Sequence, residues 1–456
     1  MTIEQQLVRH VRETTFADVP EEALAAARRE VLWALGTAVA GAGAEGSDTI
    51  AEFVRQEGGR GPCTVIGFGD RVSPGLAGLA NGSYTKAREF EDKFWMDKGH
   101  GYAIGAAVVP AAFAFAELAG GMNGKSFLAA VAIATDAGAR MMCGAPTAID
   151  SGWVSSYVFS AFCATLVAAR LLKLDQEQFM NAMGLAYAQT TGSQQANVEG
   201  VMGCRMQMGF GVRNGIASAQ LAKMGITGVH QFLNGRCGLY PLFFRGENID
   251  LDAITRDLGR NFLGTRLGFK AYPCGVVAHP VLDAVLALRG KNGISAETVQ
   301  AIQVYGSTRL SIMVEPRELR KNPTNHVETE FSLPWAVACA LVDGKVSFAH
   351  FTDAAVCDQR YIDLARKVES DMQEGRQGAW VEITLKDGRI VTSGKVMTAK
   401  GHPDNPLTTE EVVASYRECV KFGPTPLPSS QTEQAKDMVL QLQDVPDVTE
   451  IIRLLA

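Results

Sequence analysis

From residue 20 to about residue 265, apolar positions recur at helical spacing in Ala-rich segments such as EEALAAARREVLWALGTAVAG, VVPAAFAFAELAGG and SSYVFSAFCATLVAARLLKLD. Small side chains let helix backbones approach closely, so these segments are expected to pack on one another and not on a sheet. Pro20 followed by Glu21 and Glu22 marks a helix start, with Gly41 as its end. Thr2 with Gln5 predicts a capping box opening the first helix, and Thr408 with Glu411 predicts another near the chain end. The most apolar stretch, Tyr102 to Ala116, is too short to span a bilayer and reads as a buried helix.

After residue 265 the texture changes. VQAIQVYG (299–306), WVEITLKD (380–387) and RIVTSGKVM (389–397) are β-branched and partly alternating, and Asp387-Gly388 is a hairpin signal between the last two. FSLPWAVACALVDG (331–344) and YIDLARKVES (361–370) read as helices. The expected architecture is mainly α with a smaller α+β domain. A large all-helical domain forms from both chain ends, residues 1–265 and 401–456, and residues 266–400 form an inserted α/β lid.

Composition narrows the function classes. With 456 residues, 47% hydrophobic and 20% charged, the chain can build one large core and a second domain. A formal charge of −6 disfavours a nucleic-acid or anionic-membrane partner, either of which wants a basic surface, but it leaves room for a local cation cluster that takes a small anion. Nine scattered Cys without a CxxC pair read as reduced thiols of a cytoplasmic protein, and the N-terminus lacks the apolar core of a signal peptide. GAGAEG (41–46) follows a helix and not a strand, and neither a dinucleotide fingerprint nor a phosphate-binding P-loop is present. GxSxG and HExxH are absent and the seven His show no metal-ligand spacing, so no cofactor and no metal are expected.

Two polar segments remain. Asn81 to His100 packs acids and bases, including Lys86, Arg88, Glu89, Glu91, Asp92 and Lys93, just ahead of the most apolar helix; it is either a solvated charged turn or the wall of a polar pocket. Lys270 to Pro280 sets a Lys, a Tyr, a Cys and a His close together where the two textures meet. It is either a functional element or a loop whose His begins the next helix. Cys204 and Cys274 admit thiol chemistry, against the commoner apolar burial of a free Cys.

These segments resemble the MmgE/PrpD family. Asn81 through Asp92 is similar to its N-xxxx-H-A-x-D-F-D-D stretch, Lys270 through Pro280 to its K-x-Y-P-C-x-x-x-x-H-P element, Phe331 to Trp335 to its FSLP(Y/W) helix, and Gly401 to Thr408 to its GxPxNPLT turn. The resemblance implies a helical domain with an inserted α/β lid, a homodimer, and proton transfer beside a carboxylate of a small anionic substrate. Activities of the family include 2-methylcitrate dehydration, cis-aconitate decarboxylation and iminodisuccinate epimerisation.

By that resemblance the catalytic candidates are Lys86, Glu89, Asp92, His100, Lys270 and Tyr272, and the substrate-binding candidates are Arg88, Tyr157, Arg205, Cys274 and His279. Such chemistry needs a base for the α-proton, cations for the carboxylates and an acid for the leaving group. The chain departs from the family at positions that would carry these roles. Lys86 replaces a His, Glu89 and Glu91 replace an Asp pair, Ala103 and Val154 stand at two further His positions, and Cys204 stands where a Lys is usual, with Arg205 beside it. The expectation is a cofactor-independent lyase of dehydratase or decarboxylase type, with an isomerase or epimerase as the alternative and a non-catalytic binding homologue as the third reading.

Overall fold

Thr2 opens the first helix, Ile3–Glu13, its hydroxyl accepting the Gln5 N–H while the Gln5 side chain returns to the Thr2 N–H. Thr408 and Glu411 do the same for Thr409–Val420, and Pro20 precedes Glu21–Ala42, which runs one residue past Gly41. The structure is a computed structural model that describes residues 1–58, 60–96, 101–145, 152–246, 248–292 and 294–456. It is mainly helical with a smaller α+β part, as the residue pattern predicts.

The Ala-rich segments form a layered helical body because their backbones touch. A Cβ added to Gly209 would stand 2.1 Å from Ser83 Oγ and 2.3 Å from the Leu79 carbonyl oxygen, and one added to Gly215 would stand 2.5 Å from the Ala161 carbonyl oxygen. Helix Gly203–Lys223 therefore lies with its spine against both Pro74–Lys86 and Ser160–Leu171. The apolar stretch seen in the sequence becomes Gly105–Leu118, buried over nearly its whole length. Gly124–Cys143 is long and apolar enough to cross a membrane, yet 89% of its apolar window is buried inside the protein, with Asp136 and Arg140 paired at 2.9 Å; it is a core helix.

Two large hydrophobic clusters divide the buried side chains. One gathers residues from Leu7 through Phe269 and takes in Leu407, Val412, Tyr416 and the last helices to Leu455. The other runs from Cys274 to Leu385 around a four-stranded sheet, in the order Val368–Gln373, Val299–Ser307, Trp380–Leu385, Ile390–Thr392. The hairpin at Asp387-Gly388 forms as predicted, antiparallel. The reading of residues 361–370 as one helix is corrected: Gln359–Ala365 is helical, but Val368–Gln373 pairs parallel with Val299–Ser307. Its alternate residues are more buried on the side facing this core, so the sheet overrides a helix-compatible local sequence.

Short strands also interrupt the first half, and one set positions the chemistry. Asp92–Trp95 pairs antiparallel with Gly101–Tyr102 on one side and Leu267–Phe269 on the other, with Asp92 opposite Phe269 and Lys93 opposite Gly268. That register delivers Lys270, the next residue after the strand, to the charged run that precedes Asp92. Gly268 admits the late turn: the Phe269 N–H donates to the Gly401 carbonyl at 2.9 Å, and a Cβ on Gly268 would stand 2.2 Å from that same oxygen.

Gly209→Ala is expected to lower folding stability by about 1–3 kcal/mol through overpacking between helices. Urea denaturation of the two proteins measures it, and an unchanged midpoint would show that the helices can separate at no cost.

Candidate functional site

Helix Pro74–Lys86 ends at Lys86, the chain turns through Glu89 in left-handed backbone (φ 47°), and Asp92–Trp95 begins. A non-glycine residue there is held against its preference, a kind of strain that collects at functional sites. The run from Lys86 to Lys93 is buried, so it is a wall and not a solvated turn.

Three amines converge on two carboxylates. Lys270 Nζ donates to Glu89 Oε1 and to the Glu89 carbonyl, each at 2.7 Å, and lies 3.3 Å from Glu91 Oε2. Lys93 Nζ is 2.7 Å from Glu91 Oε1, and Lys86 Nζ is 3.3 Å from the same oxygen while also pairing with the Glu89 carboxylate. Burial works to raise the Glu91 carboxyl, but Lys270, Lys86 and Lys93 together pull it well below the ordinary carboxylate range. Burial pushes the Lys86 amine down to about 8, against the pull of Glu91 and with the help of Lys270 and Lys93. Lys270 and Lys93 are lowered by burial as well. Near pH 8 the Lys86 amine is thus divided between a charged form that grips a carboxylate and a neutral form that can take a proton.

Arginines flank this cluster. Arg88 donates to the Gly43 carbonyl at 2.9 Å and pairs with Glu45 at 3.3 Å; Arg205 donates to the Glu45 carbonyl at 3.0 Å. Arg205 Nη2 also lies 2.9 Å from His326 Nε2, and His326 Nδ1 lies 2.8 Å from Asp353 Oδ1. A guanidinium only donates, so His326 Nε2 accepts and its proton sits on Nδ1, facing Asp353. Glu45, His326 and Asp353 are the one group of metal-type donors that converges among the described residues. The Arg205 guanidinium already uses the imidazole lone pair that a cation would need, so the donor set suits an arginine clamp better than a metal.

The other sequence candidates divide. Asp92 caps helix Gly105–Leu118: Oδ2 accepts the Ile104 and Gly105 N–H groups at 3.0 and 2.9 Å, and Oδ1 accepts the Ala106 N–H at 3.1 Å. Its oxygens are spent on backbone. The Tyr272 hydroxyl donates to Asp283 Oδ1 at 2.6 Å, and its ring stands edge-on to His279 at 5.2 Å. His279 begins the next helix and is buried; burial, then Lys270, pushes its imidazole down to about 3, and Nε2 has no hydrogen-bond partner. Burial pushes the Cys274 thiol up to about 12 and raises Cys204 too, so apolar burial describes both better than thiol reactivity. Tyr157 is buried, and burial, then the charges of Cys204 and Glu91, hold its hydroxyl well above the usual tyrosine range. His100 lies outside the described residues.

Lys93, Lys270 and His279 also line a narrow cleft with Trp95, Lys400 and His402. The free space holds about one water molecule, and the charged side chains lining it are lysines.

Reading the sequence did not select Glu91 and Lys93 as site residues, although they lie inside the charged run, and it passed over Glu45, His326 and Glu330 entirely. Glu330 is buried directly ahead of the Phe331 to Trp335 landmark. A charge abutting an apolar helix was the available signal.

Residues 5–252 match the MmgE/PrpD N-terminal domain and residues 272–444 the MmgE/PrpD C-terminal domain. The chain is 25% identical over 478 residues to the cis-aconitate decarboxylase-like protein oryM of Aspergillus oryzae, spanning 99% of this chain and 96% of that protein. It is also 25% identical over 468 residues to a cis-aconitate decarboxylase of Aspergillus terreus, spanning 96% and 92%.

Glu91→Gln strips the carboxylate from buried amines and is expected to cost about 3–5 kcal/mol of stability. Because the folded Glu91 carboxyl is held below its unfolded value, its contribution is present above pH ~4.3 and is lost as the pH falls through the lower folded value. Urea titrations of both proteins between neutral and acid pH should therefore converge toward the acid end; a gap that widens there would contradict the assignment.

Proposed function

The chain belongs to the MmgE/PrpD family, and we propose that it is a cofactor-independent lyase that decarboxylates or dehydrates a small di- or tricarboxylate. The observation that carries this reading is the convergence of Lys86, Lys93 and Lys270 in a buried place, with Arg88 and Arg205 beside them. These amines and guanidiniums are held by Glu45, Glu89 and Glu91, and a substrate carboxylate can exchange into those pairings in a medium of low dielectric. The near-full-length likeness to cis-aconitate decarboxylases favours decarboxylation over dehydration.

In that chemistry, loss of carbon dioxide or removal of an α-proton leaves an electron pair next to a carboxylate. Amines aimed at the resulting enolate stabilise it more than they stabilise the starting acid, and that difference lowers the barrier. The nine scattered cysteines, with no CxxC pair among them, support a reducing, cytoplasmic setting for such an enzyme. An isomerase or epimerase is the second reading, favoured by the two buried amines, Lys86 and Lys270, which together can remove and return one proton.

Against a panel of di- and tricarboxylates, the enzyme is expected to release carbon dioxide or water from at least one, and Lys86→Ala and Lys270→Ala are each expected to lower kcat by about 100-fold or more. Unchanged turnover in both variants would remove these lysines from the site. Deuterium uptake at the α-carbon from heavy water, without loss of mass from the substrate skeleton, would select the isomerase reading instead.

A further inference from the structure

Glu330 ends the short helix His326–Glu330, whose Asn325 cap accepts the Glu328 N–H at 3.0 Å. Its position is set from both sides of the site. The Gly275 N–H donates to the Glu330 carbonyl at 2.9 Å, tying it to the loop that carries Lys270, and the ring of the adjoining Phe331 lies 6.0 Å from Lys86 Nζ. His326 on the same helix holds Arg205.

Glu330 is 2% exposed, and its Oε1 has no hydrogen-bond partner. Arg205, Lys86, Arg88 and Lys270 all act on it electrostatically, yet their hydrogen bonds and ion pairs among the described residues go elsewhere: the lysines to Glu89 and Glu91, Arg88 to Glu45 and backbone carbonyls, and the two Nη groups of Arg205 to the Glu45 carbonyl and His326. Tyr157, Cys204 and Cys274 also feel its charge. The Tyr157 hydroxyl and Arg205 Nε, close by, are likewise buried without a hydrogen bond of good geometry. Polar atoms left unpaired in a dry interior cost free energy, and a polar ligand placed among them would recover it.

We propose that Glu330 is the acid–base group of this site, delivering a proton to the substrate carbon that carries the electron pair beside a carboxylate. The proposal rests on the lyase reading above. In the decarboxylating direction, the C–C bond to the departing carboxylate breaks, carbon dioxide leaves, and the electron pair stays on the substrate as an enolate held by the lysines. The Glu330 O–H bond then breaks, its proton forms the new C–H bond, and the carboxylate left behind faces Arg205, Lys86, Arg88 and Lys270. Water returns the proton. Glu330 thereby takes a role for which the chain lacks imidazoles at Lys86, Ala103 and Val154.

Burial raises the carboxyl to about 7, even against the pull of those four cations, so both protonation states are populated at neutral pH. The protonated form, which this direction of reaction requires, is lost as the pH rises through that value.

On the wild-type enzyme and Glu330→Gln, kcat and KM are measured from pH 5.5 to 9 with whichever polycarboxylate the panel identifies. The amide keeps the volume and removes the exchangeable acid, so kcat is expected to fall by about 100-fold or more with KM changed less than about threefold, and the decline of kcat above pH ~7 is expected to vanish. A variant with wild-type kcat, or with the same high-pH limb, overturns the proposal while leaving the lyase reading in place. Wild-type enzyme that turns over nothing in the panel overturns the lyase reading itself. Difference infrared spectra of the substrate-free proteins supply a readout that needs no turnover. A carboxylic C=O band that titrates near pH 7 in the wild type and is missing from Glu330→Gln supports the proposal; titration confined to the ordinary carboxylate range overturns it.

Discussion

Three lysine amines buried around Glu89 and Glu91 impose the constraint from which the site's other geometry follows. Charges taken out of water are tolerated only when their partners are close and correctly aimed, and here those partners come from residues 181 positions apart in the chain. The pairing of Asp92 with Phe269 solves that problem. It sets Lys270 against the turn at Glu89 with main-chain hydrogen bonds, which are far less adjustable than side-chain rotamers. The same strand places Asp92 under the amino end of the apolar helix Gly105–Leu118, so one short segment anchors both the charge cluster and the core.

The helical body supplies the rigidity that this arrangement needs. Glycines at the contacts of helices Pro74–Lys86, Ser160–Leu171 and Gly203–Lys223 remove the slack that side chains would leave between them. Lys86 and Arg205 sit on two of these helices, so their separation is set by backbone contact. Arg205 is fixed further by Glu45 and by the Asp353–His326 pair, which orients the guanidinium from the far side. A positioned cation does its work without reorganising during a reaction, and that is the main advantage a protein interior has over water.

Exchange of imidazoles for amines and carboxyls changes how such a site handles protons. An unperturbed imidazole titrates near neutrality unaided, whereas Lys and Glu must be moved there by their surroundings. Burial does this from both directions, bringing Lys86 down to about 8 and Glu330 up to about 7. The same burial pushes the His279 imidazole away from neutrality, down to about 3, so it stays uncharged. In the proposed mechanism, proton transfer falls to residue types that look structural when read singly.

Much of the fold was legible in the residues themselves, because helix caps, Ala-rich periodicity and a two-residue hairpin are local chemistry: Thr2 with Gln5, Thr408 with Glu411, and Asp387-Gly388 each act over four positions or fewer. The strand at Val368–Gln373 was not, since its partner lies some 65 residues earlier and only the sheet makes extended backbone the better choice there. The site shows the same division. Four sequence landmarks marked the segments carrying Lys86 and Lys270, but Asp92 turned out to be spent on backbone and Tyr272 on Asp283, while Glu330 and His326 entered unannounced. Residue type and spacing along the chain determine what a segment forms and which chemistry it carries. Which charges meet, which stay dry and which are left unpaired depends on contacts between distant segments, and those exist only once the chain has folded.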